Sequence, residues 1–97
     1  MYGTIARLRP KPGRVADLVA FGHRTGGLRV PGFRASYLFQ PAVNPYPEET
    51  IFLVAIFDDE ASYRANADSP AQHERYGEMR EMLEVDPDWM DGTFESS

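Results

Sequence analysis

The chain has 97 residues and a formal net charge of −5, and its composition (42% hydrophobic, 26% charged) is typical of one small globular domain, here residues 1–97. The absence of cysteine excludes disulfides, thiolate metal sites and cysteine nucleophiles. Basic side chains concentrate in residues 1–34 and acidic ones in residues 35–97. Such charges complement each other within a fold, or form an anion site, but give no overall basic footprint for a nucleic-acid partner.

No stretch of the sequence predicts export or membrane insertion. The N-terminus lacks a basic region followed by an apolar one, so we expect no signal peptide. The longest apolar run covers residues 51–57, which is too short to cross a bilayer. We therefore expect a cytoplasmic protein with no membrane partner.

The first half of the chain predicts a strand, a helix and a second strand. Residues 2–9 alternate as a strand does, and the Pro-Lys-Pro-Gly stretch at 10–13 ends it. Residues 14–25 place apolar side chains at helical spacing, and Gly26-Gly27 is a natural stop. Residues 33–40 predict an aromatic strand whose alternation puts four side chains on one face: Phe33, Ala35, Tyr37 and Phe39.

The second half predicts a strand, a helical region in two pieces and a last strand. Residues 41–49 contain three prolines and predict a loop. Residues 50–57 predict a strand that is apolar on both faces, so both should be covered. Residues 58–66 predict a short helix with an acidic start, and residues 69–84 a longer one with a serine cap and proline at its first position. Residues 89–94 predict the last strand.

The order of these elements predicts an α+β, ferredoxin-like fold. The order β-α-β-β-α-β is the split βαβ arrangement, with a four-stranded antiparallel sheet and the helices on one face. The open face would leave the doubly apolar third strand exposed. A second copy of the chain is its simplest cover, so we expect a homodimer.

A few polar and aromatic side chains are candidates for a site. His73 lies one turn before Tyr76 on the long predicted helix, where imidazole can act as a base near pH 7, or simply as a capping or surface residue. The phenols of Tyr37, Tyr63 and Tyr76 can orient polar ligands or pack in the core. Trp89 is interpreted as a lid over the core or a stacking surface. With only two histidines on different helices, we expect no metal site.

Several short motifs occur between and within the predicted elements. They are Pro-Lys-Pro-Gly at 10–13, Val-Pro-Gly-Phe at 30–33, Phe-Asp-Asp-Glu-Ala-Ser-Tyr-Arg-Ala-Asn at 57–66 and Asp-Ser-Pro-x-x-His at 68–73. With these motifs, the chain resembles over nearly its whole length the antibiotic biosynthesis monooxygenase-like domains of the dimeric α/β-barrel superfamily. The resemblance implies a dimeric α/β barrel and places the substrate-contacting tyrosine of the oxygenase members at Tyr63. The chain departs from those members at Leu53, Phe57 and Tyr76, where they have asparagine, tryptophan and arginine. It departs from the haem-degrading members as well.

The resemblance implies an oxygenase without a cofactor, acting on an electron-rich aromatic such as a polyketide phenol or quinol. In this hypothesis Tyr63 hydrogen-bonds a substrate oxygen and His73 is the candidate base. The substrate-binding residues would be Phe57, Tyr76, Tyr37, Trp89 and Asn66. The departures favour a second hypothesis, a non-catalytic domain that binds a small molecule. A third is a cyclase-like or isomerase-like enzyme with His73 as general base.

Overall fold

The computed structural model describes residues 1–26 and 29–97, so Gly27 of the predicted helix stop lies outside the described residues. The elements follow the predicted order, with the predicted second helical region divided into two helices. They are β1 (Tyr2–Leu8), α1 (Val15–Thr25), β2 (Phe33–Phe39), β3 (Ile51–Phe57), α2 (Glu60–Ala67), α3 (Pro70–Arg80) and β4 (Asp88–Thr93).

The four strands form one antiparallel sheet in the order β2-β3-β1-β4. The predicted α+β, ferredoxin-like fold is confirmed. The side chains of alternate residues on β1 and β3 face the helices and form the core with α1, α3 and the segment after α3. The core is built by the buried residues Ala6, Leu8, Leu18, Phe21, Ile51, Met79, Met82 and Leu83.

Two side-chain caps explain why the helical region divides where it does. The Asp59 carboxylate accepts a hydrogen bond from the backbone N–H of Ser62 at 2.8 Å, which starts α2. The Ser69 hydroxyl accepts one from the N–H of Gln72 at 3.2 Å, and Pro70 occupies the first turn of α3. The predicted helix start at Ser69 and Pro70 is therefore confirmed, because these residues form the beginning of α3.

The helix α3 ends at Arg80, four residues before the predicted end at residue 84. The following residues leave the helix because they pair with the chain just after β1. The N–H of Lys11 donates to the carbonyl of Met82, and the N–H of Glu84 donates to the carbonyl of Arg9, both at 2.9 Å. Helical periodicity alone cannot reveal this pairing, which joins residues far apart in sequence.

A β-bulge corrects the predicted face of Phe33. The register of β2 on β3 shifts between Phe33 and Ala35. Phe33 therefore lies on the helix side, where its ring packs edge-on against Phe57 at 5.5 Å. Ala35, Tyr37 and Phe39 lie on the opposite face of the sheet and share it, as predicted.

The face of the sheet opposite the helices is mostly apolar, and we call it the open face. Its centre is formed by Ile5 on β1 with Val54 and Ile56 on β3. Towards its edges the side chains of Tyr37 and Met90 are 60% and 64% exposed. None of the described helices is long and apolar enough to span a membrane.

Candidate functional site

A cavity of about 750 Å³ lies between the helices and the sheet. Its sheet wall comes from alternate residues of all four strands, and the bulge in β2 adds the Phe33 ring to that wall. Its helix wall comes from α1, α2 and α3, and the absence of a side chain at Gly22 lets Leu38 of β2 pack closely against α1. Most of the lining is hydrocarbon or aromatic. The cavity is therefore suited to a flat apolar molecule.

One end of the cavity holds a phenol paired with a carboxylate. The hydroxyl of Tyr63 on α2 donates a hydrogen bond to Asp91 Oδ1 on β4 at 2.8 Å. Because the phenolic hydrogen is used in this bond, the lone pairs of the Tyr63 oxygen remain available to accept a hydrogen bond from a ligand.

The surroundings keep Tyr63 protonated at neutral pH. Burial of the ring, followed by the hydrogen bond to Asp91 and the negative charge of that carboxylate, raises the pKa of Tyr63 to about 12. Thr4, which lies opposite Asp91 in the sheet, opposes this shift in pKa because its hydroxyl lies near the phenol. Tyr63 is therefore neutral at pH 7 and cannot by itself serve as a base.

The Thr4 hydroxyl is an unpartnered polar group in the cavity wall. The residue is 2% exposed, and its Oγ1 makes no hydrogen bond of good geometry with any described residue. Burying a hydroxyl without a partner costs about 1–3 kcal/mol. Thr4, Tyr63 and Asp91 thus form a polar cluster at one end of an otherwise apolar space.

Aromatic rings hold Tyr63 in place. Its ring packs edge-on against Tyr2 at 5.4 Å and against Phe57 at 5.7 Å between centroids. Phe57 is 2% exposed, so this contact fixes the phenol against the core. Phe57, which the sequence analysis names as a substrate-binding residue, therefore also positions Tyr63.

A second polar group in the wall is the guanidinium of Arg75 on α3. Its Nε and Nη2 donate to Gln72 Oε1 at 3.1 and 2.9 Å, and Nη2 also donates to Asn66 Oδ1 at 3.3 Å. Asn66 lies one turn after Tyr63 on α2 and lines the same cavity. Two neutral amides therefore orient a positive charge at the cavity wall.

The predicted site residues come together, with one difference. The cavity is lined by Tyr63, His73, Phe57, Tyr76, Trp89, Asn66 and Tyr37. The rings of Tyr76 and Trp89 lie 6.1 Å apart, and Trp89 is 45% exposed. Tyr37 pairs with Val54, so its ring belongs to the open face and it borders the cavity only from the edge strand.

The sequence analysis did not identify Thr4, Arg75 or Asp91 as site residues. The signal for Asp91 was present, because it lies two residues after Trp89 in a strand and so shares its face. Within residues 1–26 and 29–97, no three His, Asp or Glu side chains are grouped to hold a metal ion.

Comparisons with known proteins agree with this architecture. A conserved protein from Methanosarcina mazei Go1 superposes with a TM-score of 0.79 at 18% identity, covering 97% of this chain and 92% of that one. SnoaB, a cofactor-independent oxygenase from Streptomyces nogalater, gives 0.81 at 16%, covering 99% and 94%. A Mycobacterium tuberculosis protein gives 0.71 at 17%, covering 99% and 96%. At these identities the likeness shows the fold alone.

The sequence itself carries the family assignment. A search of the curated proteins finds no match. The sequence profile of the antibiotic biosynthesis monooxygenase family, in contrast, matches residues 1–76, which is most of the chain. The chain therefore belongs to the antibiotic biosynthesis monooxygenase family.

Proposed function

We propose that the protein is a monooxygenase that oxidises a polycyclic phenol or hydroquinone with dioxygen, the substrate itself supplying the electrons. The observation that carries the proposal is the cluster of Thr4, Tyr63 and Asp91 at one end of an apolar cavity. The apolar walls suit fused rings, and the cluster suits a ring hydroxyl. The cofactor-independent oxygenase from Streptomyces nogalater with the same fold supports this reaction class.

The cluster can convert the bound phenol to a phenolate. The substrate hydroxyl donates to the Tyr63 oxygen, whose own hydrogen already points at Asp91. Movement of both protons along these bonds leaves Tyr63 neutral and the proton on Asp91, which is exposed and can release it to water. The Thr4 hydroxyl then has an acceptor, because it can donate to the phenolate oxygen.

The remaining chemistry balances without another reactant. The phenolate gives one electron to dioxygen, and the resulting radical pair combines to form a C–O bond at the ring carbon para to the phenolate oxygen. Loss of that carbon's proton and cleavage of the O–O bond leave a carbonyl and release the second oxygen atom as water. A phenol and one dioxygen thus become a quinone and one water. The protein contributes orientation and exclusion of bulk water.

His73 is the second candidate for proton transfer. It is exposed at the mouth of the cavity, two turns of α3 before the buried Met79. In the proposed reaction it would accept the ring proton lost during O–O cleavage.

The decisive experiment measures oxygen uptake, with mass analysis of the products, on a panel of hydroxylated naphthalenes and anthracenes. We expect one oxygen atom in the product for each dioxygen consumed. Tyr63→Phe and Asp91→Asn should each lose most of the activity, whereas Tyr46→Phe, which changes a tyrosine outside the cavity lining, should keep it. Absence of uptake over the whole panel would contradict the proposal.

The alternatives predict other results. A non-catalytic binding domain is favoured by the hydrocarbon side chains of Leu53 and Phe57 in the cavity wall, and it would bind the panel, detected by Trp89 fluorescence, without uptake. A cyclase-like or isomerase-like enzyme would convert a substrate without uptake, and His73→Ala would abolish that conversion.

The proposal includes a homodimer formed through the open face. Val54 and Ile56 lie at the centre of that face, and the side chains of Tyr37, Phe39 and Met90 are more than half exposed around them. Contiguous apolar surface of this kind marks interaction sites. Light scattering at micromolar concentration should give the mass of two chains, and the mass of one chain would contradict the dimer.

A further inference from the structure

Arg75 differs from most of the arginines in the chain because it forms no salt bridge within residues 1–26 and 29–97. Seven of the nine arginines form a salt bridge: Arg7, Arg9, Arg14, Arg24, Arg34, Arg64 and Arg80. Arg75 has no acidic partner among the described residues. Glu78, one turn further along α3, is bonded to Arg24 instead, at 3.1 Å. A cation without a counter-charge therefore lines the cavity.

Two amide side chains fix the orientation of the Arg75 guanidinium, and some of its N–H donors remain without an acceptor. The oxygens of Gln72 and Asn66 engage Nε and Nη2, and within the described part of the chain Nη1 makes no hydrogen bond. Two N–H donors of Nη1 are therefore free, on a group whose plane is fixed by two amides. A partly buried charge of this kind favours a ligand that brings the opposite charge.

The charges of the cavity favour a ligand with a single negative charge. Among its described lining residues the permanently charged groups are Arg75 and Asp91, so the lining carries one positive and one negative charge. Arg75 attracts an anion, whereas Asp91 repels additional negative charge, so a carboxylate suits the cavity better than a phosphate ester with two charges at neutral pH.

The two polar regions lie close together along α2. Tyr63 and Asn66 are three residues apart on this helix, and the Asn66 oxygen accepts a hydrogen bond from Arg75 at 3.3 Å. One ligand can therefore reach both regions if it carries a hydroxyl for Tyr63 and an anion for Arg75. Fused aromatic rings provide a rigid frame for these two groups.

We infer that Arg75 is an anion subsite and that the natural ligand is a fused-ring aromatic carrying both a hydroxyl and a carboxylate. The inference deepens the proposed function, because it takes the Tyr63 end of the cavity as the hydroxyl site. It concerns binding alone, and it can be tested without turnover.

The test compares 6-hydroxy-2-naphthoate with its neutral primary amide by titration calorimetry, in the absence of oxygen. The wild type should bind the carboxylate at least about tenfold more tightly than the amide, as expected for a charge-assisted hydrogen bond. Arg75→Gln should abolish this preference and leave amide binding within about twofold. Arg14→Gln, which removes an arginine that lies outside the cavity lining and pairs with Asp17, is the matched control and should retain the preference.

If Arg75→Gln does not fold, the inference can still be tested with Arg75→Lys and with the comparison of the two probes on the wild type. Lysine keeps the charge without the planar fork, so part of the preference should remain. Equal affinity of the wild type for the two probes, no measurable binding of either, or a preference that survives in Arg75→Gln would overturn the inference. A carboxylate preference without oxygen uptake would instead overturn the monooxygenase proposal and leave the subsite.

Discussion

The bond between Tyr63 and Asp91 has a measurable consequence for the alkaline titration of the protein. Burial, and then the hydrogen bond and negative charge of Asp91, raise the pKa of Tyr63 from 10.0 to about 12. Asp91→Asn keeps an acceptor oxygen in a side chain of the same shape and removes the charge. The pKa of Tyr63 should therefore fall in this variant but stay above 10.0, because burial is the largest cause and remains.

The same shift predicts how stability depends on pH. A raised pKa means that the folded protein holds the phenolic proton more tightly than the unfolded chain does. The stabilising contribution is therefore complete below pH 10 and is lost as the pH rises towards 12. A change of one in pKa corresponds to about 1.4 kcal/mol, so the contribution of Tyr63 to the free energy of unfolding is at most about 3 kcal/mol. Because Tyr63 is only half-buried, solvent screening reduces the expected loss to on the order of 1 kcal/mol.

Two measurements check this reasoning. The difference in phenolate absorbance between the wild type and Tyr63→Phe isolates Tyr63 from the other four tyrosines. Urea unfolding of the wild type and Tyr63→Phe above pH 10 measures how the free energy of unfolding falls with pH. The part of this fall that is caused by Tyr63 should be absent from Tyr63→Phe. Tyr46→Phe is the control and should behave as the wild type does. A wild-type Tyr63 that titrates near 10.0, or an identical titration in Asp91→Asn, would refute the assigned causes.

Three further predictions concern the scaffold. Gly3→Ala should lower the free energy of unfolding in urea by at least about 2 kcal/mol, because a methyl group there meets the backbone of β3. Gly92→Ala, in the facing position on β4, has free space and should lower it much less. Val54→Lys should convert the proposed dimer to a monomer in light scattering, while Val85→Lys outside the open face should not. Leu18→Ala should lower the free energy of unfolding by about 2–5 kcal/mol, since Leu18 is fully buried, and a loss below 1 kcal/mol would contradict its place in the core.

The fold was predictable because its signals are local. Apolar alternation, proline breaks and the caps at Asp59 and Ser69 each act within a few residues, and together they define the order of elements. What failed depends on pairings between distant segments. The early end of α3 results from its pairing with residues 9–11, and the face of Phe33 results from a bulge that alternation does not reveal.

The site was predictable for its aromatic residues and much less so for its polar ones. Tyr63 was identified through a family pattern at 57–66, and its neighbours on the helices follow from periodicity. Asp91 lies beyond residue 76, where the family profile ends, and only the β1–β4 pairing brings it to Tyr63. Arg75 is notable for a missing partner, which no single sequence can display.

The pairing of the first strand with the last has a consequence for the order in which the molecule assembles. β1 is central in the sheet, yet one of its two neighbours is β4, whose residue Thr93 faces Tyr2. Closing this loop of about 90 residues carries a larger entropic cost than joining β2 to β3, so the local pair should form first. During synthesis the Asp91 carboxylate can reach Tyr63 only after residues 1–91 have left the ribosome. The polar cluster should therefore be among the last parts of this domain to form.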